Sequence, residues 1–250
     1  MSTLAAPPVT RTPRHAVLVR VTHWITVVAF LALLVTGGEI VISHPRFYWG
    51  ETGNVNMKPL FTLPIPASRD TVPTRYGYVM PDQNGWSRYL HFEAAWVLVL
   101  TGLLYGIWGF ATGHFRKNLL PVRGERNLPA IWARMARYLR RAPPDAAEAT
   151  AYNVLQRVAY LSVIFVLIPL TILTGLALSP SFNSAVPEVV NGLGGRQCAR
   201  TLHFFLSWAL LFFLVAHVTM VAVSGFRARM RAMITGRGAN PGKDSTGERR

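Results

Sequence analysis

Four long apolar stretches alternate with polar, basic or proline-rich segments along the chain. They lie at about residues 21–43, 89–112, 154–178 and 201–224. Each has the roughly 20 residues that a helix needs to cross the hydrocarbon core of a bilayer. Because lipid offers no hydrogen-bond partners to exposed backbone, only helices are expected there. The pattern predicts an all-α integral membrane four-helix bundle, with a kink in the third helix at Pro169.

Composition supports a membrane protein and argues against other classes. The 250 residues are 51% hydrophobic and only 15% charged, whereas soluble domains carry about 25% charged residues. The net charge of +15 does not indicate nucleic-acid binding, because such domains are rarely this apolar. The single cysteine, Cys198, excludes an internal disulfide, and the chain has no C-x-x-C-H haem-attachment motif. A small loop residue is the expected role of Cys198.

The basic residues predict the orientation in the membrane. Nineteen of the 26 Lys and Arg residues fall at residues 11–20, at residues 113–153, at Arg157 and at residues 227–250. The positive-inside rule therefore places both termini in the cytoplasm and residues 44–87 outside. The predicted organisation is a cytoplasmic tail (1–19), a four-span domain (20–230) with an external loop (44–87) and a cytoplasmic loop (113–153), and a basic cytoplasmic tail (231–250).

Histidines lie in or at the ends of three of the spans. They are His23, His91, His203 and His217. Ionisable residues inside spans are costly and usually functional. Three of the four follow an arginine by three residues, and those arginines are Arg20, Arg88 and Arg200. On a helix this spacing puts both side chains on one face, one turn apart. An imidazole can bind haem iron, and a guanidinium can hold a haem propionate.

Depth in the membrane predicts how the histidines pair. Spans two and four both start outside, so His91 and His203 lie at matching depth. His217 lies 14 residues after His203, about 21 Å deeper and on the same side of the helix. The sequence therefore predicts an outer haem site, His91–His203, and an inner one, His23–His217. His15, His44 and His114 lack the pattern and are expected to be ordinary tail or loop residues.

Other interpretations remain open from the residues alone. Any one of the four histidines has an alternative role as a core residue or interfacial anchor. Glycines in the spans leave room for a macrocycle or serve ordinary helix packing. They are Gly37, Gly38, Gly102, Gly106, Gly109 and Gly175. A histidine-bearing transporter is a further alternative, although Glu39 and Glu93 are the only acidic residues in or near the spans.

The motifs resemble a known family. The chain has R-x-x-H-W in span one, R-x-x-H-F in span two, no histidine in span three and H-x13-H in span four. This is similar to the bacterial di-haem cytochrome b superfamily, which includes the b-type cytochrome of nickel–iron hydrogenases, the gamma subunit of formate dehydrogenase and the cytochrome b of thiosulfate reductase. The resemblance implies a bacterial inner-membrane protein with two b haems ligated by the four histidines and with quinone chemistry near the inner haem.

The resemblance also suggests a quinone residue and a partner. Tyr152-Asn153-x-x-Gln156 is similar to a stretch in formate dehydrogenase gamma subunits whose asparagine lies at the quinone site. Asn153 is therefore a candidate, with capping of the third helix as its alternative role. The loop at 44–87 is longer than in stand-alone cytochromes. It favours docking of a periplasmic catalytic subunit, of the molybdenum-enzyme or hydrogenase type, over the alternative of a self-contained cytochrome that reduces quinone from a small diffusible donor.

Overall fold

The computed structural model describes residues 15–54, 56–65, 85–121, 129, 132, 133, 136, 154–223 and 225–236. In chain order the elements are α1 (Val17–Ser43), β1 (Arg46–Phe47), β2 (Phe61–Thr62), α2 (Gly85–Ala111), a π-helical turn (Phe115–Leu119), α3 (Val154–Ala177), α4 (Pro180–Ala185), α5 (Pro187–Gly192), α6 (Arg196–Val223) and α7 (Phe226–Thr235). Asn153 and most of the loop at 113–153 lie outside the described residues.

Four of these helices, α1, α2, α3 and α6, are long and apolar enough to cross a membrane. The predicted four-helix membrane architecture is confirmed. Helices α1, α2 and α6 begin four or five residues before the apolar stretches do, since the residues just before each stretch, which include Arg20, Arg88 and Arg200, remain helical. The domain limit expected near residue 230 falls within α7.

Helix α3 accommodates its proline through a π-helical turn. Residues Val163–Leu167 are π-helical, and the Ile168 N–H donates to the Val163 carbonyl, five residues back. Pro169 has no N–H, and its ring would clash with the carbonyl four residues earlier in a regular α-helix. The wider turn just before Pro169 removes this conflict, and the helix continues to Ala177.

The four spans form two pairs. Helix α1 packs along α2, and the second half of α3 packs along α6. Within the described residues the backbones of the two pairs come close at few points. The histidines lie on α1 and α2 of one pair and on α6 of the other.

Residues 44–65, here called the cap, cover one end of the bundle. Strands β1 and β2 pair antiparallel, and the Phe47 ring is stacked on Phe61 with centroids 4.7 Å apart. Phe47 is 1% exposed because Phe204 of α6 covers it, at 4.4 Å. This apolar contact fixes the hairpin on the start of α6. We call this end the cap end, and the end that carries α7 the tail end.

The cap also provides hydrogen-bond acceptors for the N-terminal turn of α6. The Gly50 carbonyl accepts the N–H groups of Gln197 and Cys198 at 3.0 and 3.2 Å, and a Glu51 carboxylate oxygen accepts that of Arg196 at 3.0 Å. First-turn N–H groups have no partner within their own helix, so the cap supplies the hydrogen-bond acceptors that they need. Cys198 is fully buried in this first turn, which corrects the expectation of a loop residue.

Candidate functional site

His91 and His203 face each other near the cap end. His91 lies on α2 and His203 on α6, and their ring centroids are 6.3 Å apart. They lie across the space between the two helix pairs. The histidines that the sequence paired by depth at this end are therefore brought together by the fold.

The Nδ1 atom of each of these rings has a hydrogen-bond partner. His91 Nδ1 lies 2.9 Å from the Thr36 hydroxyl, which itself donates to the Ala32 carbonyl at 2.7 Å. His203 Nδ1 lies 3.0 Å from the Thr171 carbonyl. A carbonyl only accepts, and the Thr36 proton is already used, so both Nδ1 atoms carry the hydrogen. Both Nε2 atoms are thus left with free lone pairs, the form that binds a metal.

A second buried threonine supports His203. The Thr174 hydroxyl lies 3.1 Å from His203 Nδ1 and donates to the Leu170 carbonyl at 2.8 Å. Thr36 and Thr174 are at most 1% exposed, so their positions are fixed by packing. The partners set the orientation of each ring as well as its tautomer.

His23 and His217 face each other near the tail end. Their ring centroids are also 6.3 Å apart. Phe213 is stacked on the His217 ring at 5.8 Å, and Tyr160 of α3 meets it edge-on at 6.2 Å. His23 Nδ1 is buried and has no hydrogen-bond partner among the described residues. This pair is held mainly by aromatic contacts, in contrast to the hydrogen-bonded pair at the cap end.

The spacing of both pairs fits one metal ion held between two imidazoles. A bond from a histidine nitrogen to such an ion is about 2 Å. The nitrogen lies roughly 1 Å from its ring centre, so two rings on opposite sides of the ion have centroids roughly 6 Å apart. Both observed separations, 6.3 Å, match this value.

The ligand count favours haem over a bare metal ion. Within the part of the chain that the structure describes, no group of three or more His, Cys, Asp or Glu side chains is arranged to hold a metal. A structural zinc site needs four protein ligands, whereas haem supplies four equatorial nitrogens and needs only axial ones. Two isolated imidazole pairs bordering an open space fit the axial positions of two haems.

Glycines let the cap-end rings lie close to the neighbouring helices. A Cβ atom at Gly37 would lie 3.5 Å from His91 Cε1, and one at Gly175 would lie 3.2 Å from His203 Cε1. Thr36-Gly37 and Thr174-Gly175 thus form the same arrangement, in which the threonine bonds Nδ1 and the glycine makes room. The Thr-Gly dipeptide is a sequence signal for this arrangement that span length and histidine spacing do not reveal.

We expect Gly175→Ala to disturb the cap-end site selectively. The added methyl group would displace the His203 ring by a few tenths of an ångström and weaken its bonds to α3. The measurement is the visible and electron-paramagnetic spectrum of the purified protein, in which only the signal of the cap-end site should change. Gly102→Ala is the matched control, because Gly102 also follows a threonine, Thr101, and nothing lies within 4 Å of its added Cβ. Equal changes in both variants would contradict the expectation.

The three arginines differ in their surroundings. Arg200 donates to the carbonyls of Arg46, at 3.0 Å, and His44, and its guanidinium lies 4.8 Å from the Phe47 ring centre. Arg20 donates to the Ile234 carbonyl of α7 at 2.8 Å, and Arg88 is exposed. Two of the predicted propionate partners, Arg20 and Arg200, therefore already donate to backbone carbonyls. The R-x-x-H pattern did not reveal these contacts.

His114 lies outside the spans, next to the π-helical turn at Phe115–Leu119. Its Nδ1 accepts a hydrogen bond from the Asn118 side-chain amide at 3.0 Å, and its ring lies 4.9 Å from that of Trp108. Burial lowers the pKa of His114 and so favours the neutral ring. It is a structural residue at the end of α2 and provides a control for the four span histidines.

Comparisons with known proteins identify the family of this chain. The family described as prokaryotic cytochrome b561 matches residues 14–236. A curated relative from Azospira oryzae, the putative protein-methionine-sulfoxide reductase subunit YedZ1, is 32% identical over 209 residues, which are 84% of this chain and 90% of the relative. The chain belongs to the prokaryotic cytochrome b561 family, and it is a multi-pass membrane protein that binds haem b and transfers electrons.

Proposed function

We propose that this protein holds two b haems and passes electrons between the quinone pool and a redox enzyme outside a bacterial inner membrane. The observation that carries the proposal is the presence of two imidazole pairs with equal 6.3 Å separations. His203 and His217 are 14 residues apart on α6, or about 21 Å along the helix. The two sites are therefore stacked across the bilayer.

In this proposal His91 and His203 hold the outer haem, and His23 and His217 hold the inner one. The haem iron supplies reversible one-electron chemistry when bound. The protein fixes the axial imidazoles, surrounds them with apolar helices and excludes water. Thr36 and Thr174 support the outer pair through Nδ1, which makes those ligands stronger electron donors.

We propose that the arginines bind the haem propionates through those N–H groups that the backbone carbonyls do not use. A guanidinium has five N–H donors, and backbone carbonyls take two from Arg200 and one from Arg20. Arg88 is exposed one turn before His91, where a carboxylate of the outer haem would have access to it. The basic tails support a cytoplasmic location for both termini and an external location for the cap.

The partner is proposed to dock on the external side, at the cap. The cap is anchored on α6 directly above His203, and it exposes large apolar side chains, Trp49 at 59% and Leu60 at 57%. The relative from Azospira oryzae is named as a subunit of a protein-methionine-sulfoxide reductase, which supports a separate catalytic subunit here. Quinone is proposed to react near the inner haem, with Asn153 as a candidate contact.

The direct test is haem content per chain. We expect two haem b per purified chain by pyridine haemochrome assay and two steps in a redox titration. One haem or none per chain would contradict the two-site proposal, and a colourless protein would favour a transporter. Co-purification of a soluble redox enzyme that is lost when residues 44–87 are shortened would support the subunit role over a self-contained cytochrome.

A further inference from the structure

The C-terminal helix α7 folds back onto the start of α1 at the tail end. Arg20 Nη1 donates to the carbonyl of Ile234 at 2.8 Å, and Trp24 Nε1 donates to that of Met233 at 3.4 Å. These carbonyls belong to the last turn of α7, where backbone acceptors have no partner within the helix. A cation at this end also interacts favourably with the helix dipole.

The end of α7 is shaped to receive Arg20. Gly236 terminates the helix with φ +78° and donates its N–H to Ala232 at 3.0 Å, a glycine-type helix terminus. A Cβ atom at Gly236 would lie 3.2 Å from Arg20 Cζ. Glycine at this position therefore serves both the left-handed backbone and the close approach of the guanidinium.

Trp24 connects this contact to the histidine pair. It meets the His23 ring edge-on at 5.3 Å while its indole N–H points to α7. His23 Nδ1 and Arg20 Nε are both buried. The last turn of α7 thus reaches the His23 ring through Trp24.

We propose that α7 is a clamp that closes the cytoplasmic side of the inner haem site, and that Arg20 is a positioning residue that holds the clamp in place. The inference rests on the proposed function for the haem at His23–His217. Its basis is the juxtaposition of Arg20, Gly236 and Trp24 around the end of α7. When the clamp opens, water reaches the inner haem and stabilises the oxidised, more highly charged iron, which lowers its reduction potential.

The experiment compares Arg20→Gln and Gly236→Ala with Arg227→Gln. Arg227 lies in the first turn of α7 and is exposed, so its replacement removes a positive charge but leaves the clamp contacts. The first readout is limited trypsin cleavage after Arg231 in the full-length, haem-loaded protein. We expect cleavage about tenfold faster in both clamp variants, because the opening of a segment governs its cleavage. Arg20→Lys should partly restore the control rate, since an ammonium also donates to a carbonyl.

The second readout is the redox titration. The step that disappears in His217→Ala identifies the inner haem, and we expect this step alone to move to lower potential in the clamp variants. Cleavage rates equal to those of Arg227→Gln would overturn the clamp itself. Faster cleavage with an unchanged inner step, or with both steps moved equally, would overturn the link to the inner site. Fewer than two haems in the unaltered protein would refute the proposed function, while the cleavage readout would still decide on the clamp.

Discussion

The His203→Ala variant is expected to hold one haem per chain instead of two. His203 faces His91 at 6.3 Å and is fixed by Thr171 and Thr174, so its removal would leave His91 without the opposite ligand. The remaining haem should keep the spectrum and potential of the inner site, because His217 lies about 21 Å away along α6. Haem quantitation measures the number of haems per chain, and low-temperature reduced-minus-oxidised spectra identify the haem that remains.

The matched control for His203→Ala is His114→Ala, which removes a partly buried histidine outside the spans. Two haems should remain in the control variant. His91→Ala should reproduce the loss seen in His203→Ala, because both rings hold the same iron in the proposed pairing. Loss of the inner haem alone in His203→Ala, or different haems lost in the two variants, would refute this pairing.

The Arg200→Gln variant is expected to release the cap from α6. The substitution removes charge-assisted hydrogen bonds to the carbonyls of His44 and Arg46 and the contact over the Phe47 ring. Hydrogen bonds to charged groups contribute about 1.5–3 kcal/mol each. Loss of the pair, about 3–6 kcal/mol in total, should raise the open fraction of the cap by at least about a hundredfold. Limited chymotrypsin cleavage at Trp49, followed by mass spectrometry, measures this fraction.

Lys58→Gln is the control for Arg200→Gln, because Lys58 is an exposed cation of the same cap. Its cleavage rate should match that of the unaltered protein. The comparison also separates two roles of Arg200. If this residue served only a haem propionate, Arg200→Gln would change the outer haem spectrum while chymotrypsin cleavage of the cap stayed unchanged.

The helices and the histidine pairs were accessible from sequence because each depends on local periodicity. A span is recognised by its length and apolar character, and helical rise fixes the depth of each residue. Span direction then placed His91 beside His203 and His23 beside His217, and the structure brings both pairs to 6.3 Å. Their role as axial ligands stays a prediction until haem content is measured.

The supporting residues were less accessible. Thr36 and Thr174 are small polar residues inside apolar helices, where threonine commonly bonds its own backbone. Their second bonds, to histidines on other helices, depend on how the helices are rotated against each other. The π-helical turn before Pro169 was likewise not predicted, because the sequence shows the missing N–H but not how the helix compensates for it.

The sequence by itself determined the four spans, the side on which basic residues collect and the pairing of histidines by depth, since these follow from hydrophobicity and helical geometry. Only the tertiary structure decided what the arginines contact. Arg20 and Arg200 share one local motif, yet Arg20 donates to a carbonyl in the last turn of α7 and Arg200 donates to a carbonyl of the cap. Their partners lie more than 150 residues away in the chain, and a guanidinium bonds whichever carbonyls the fold brings to it.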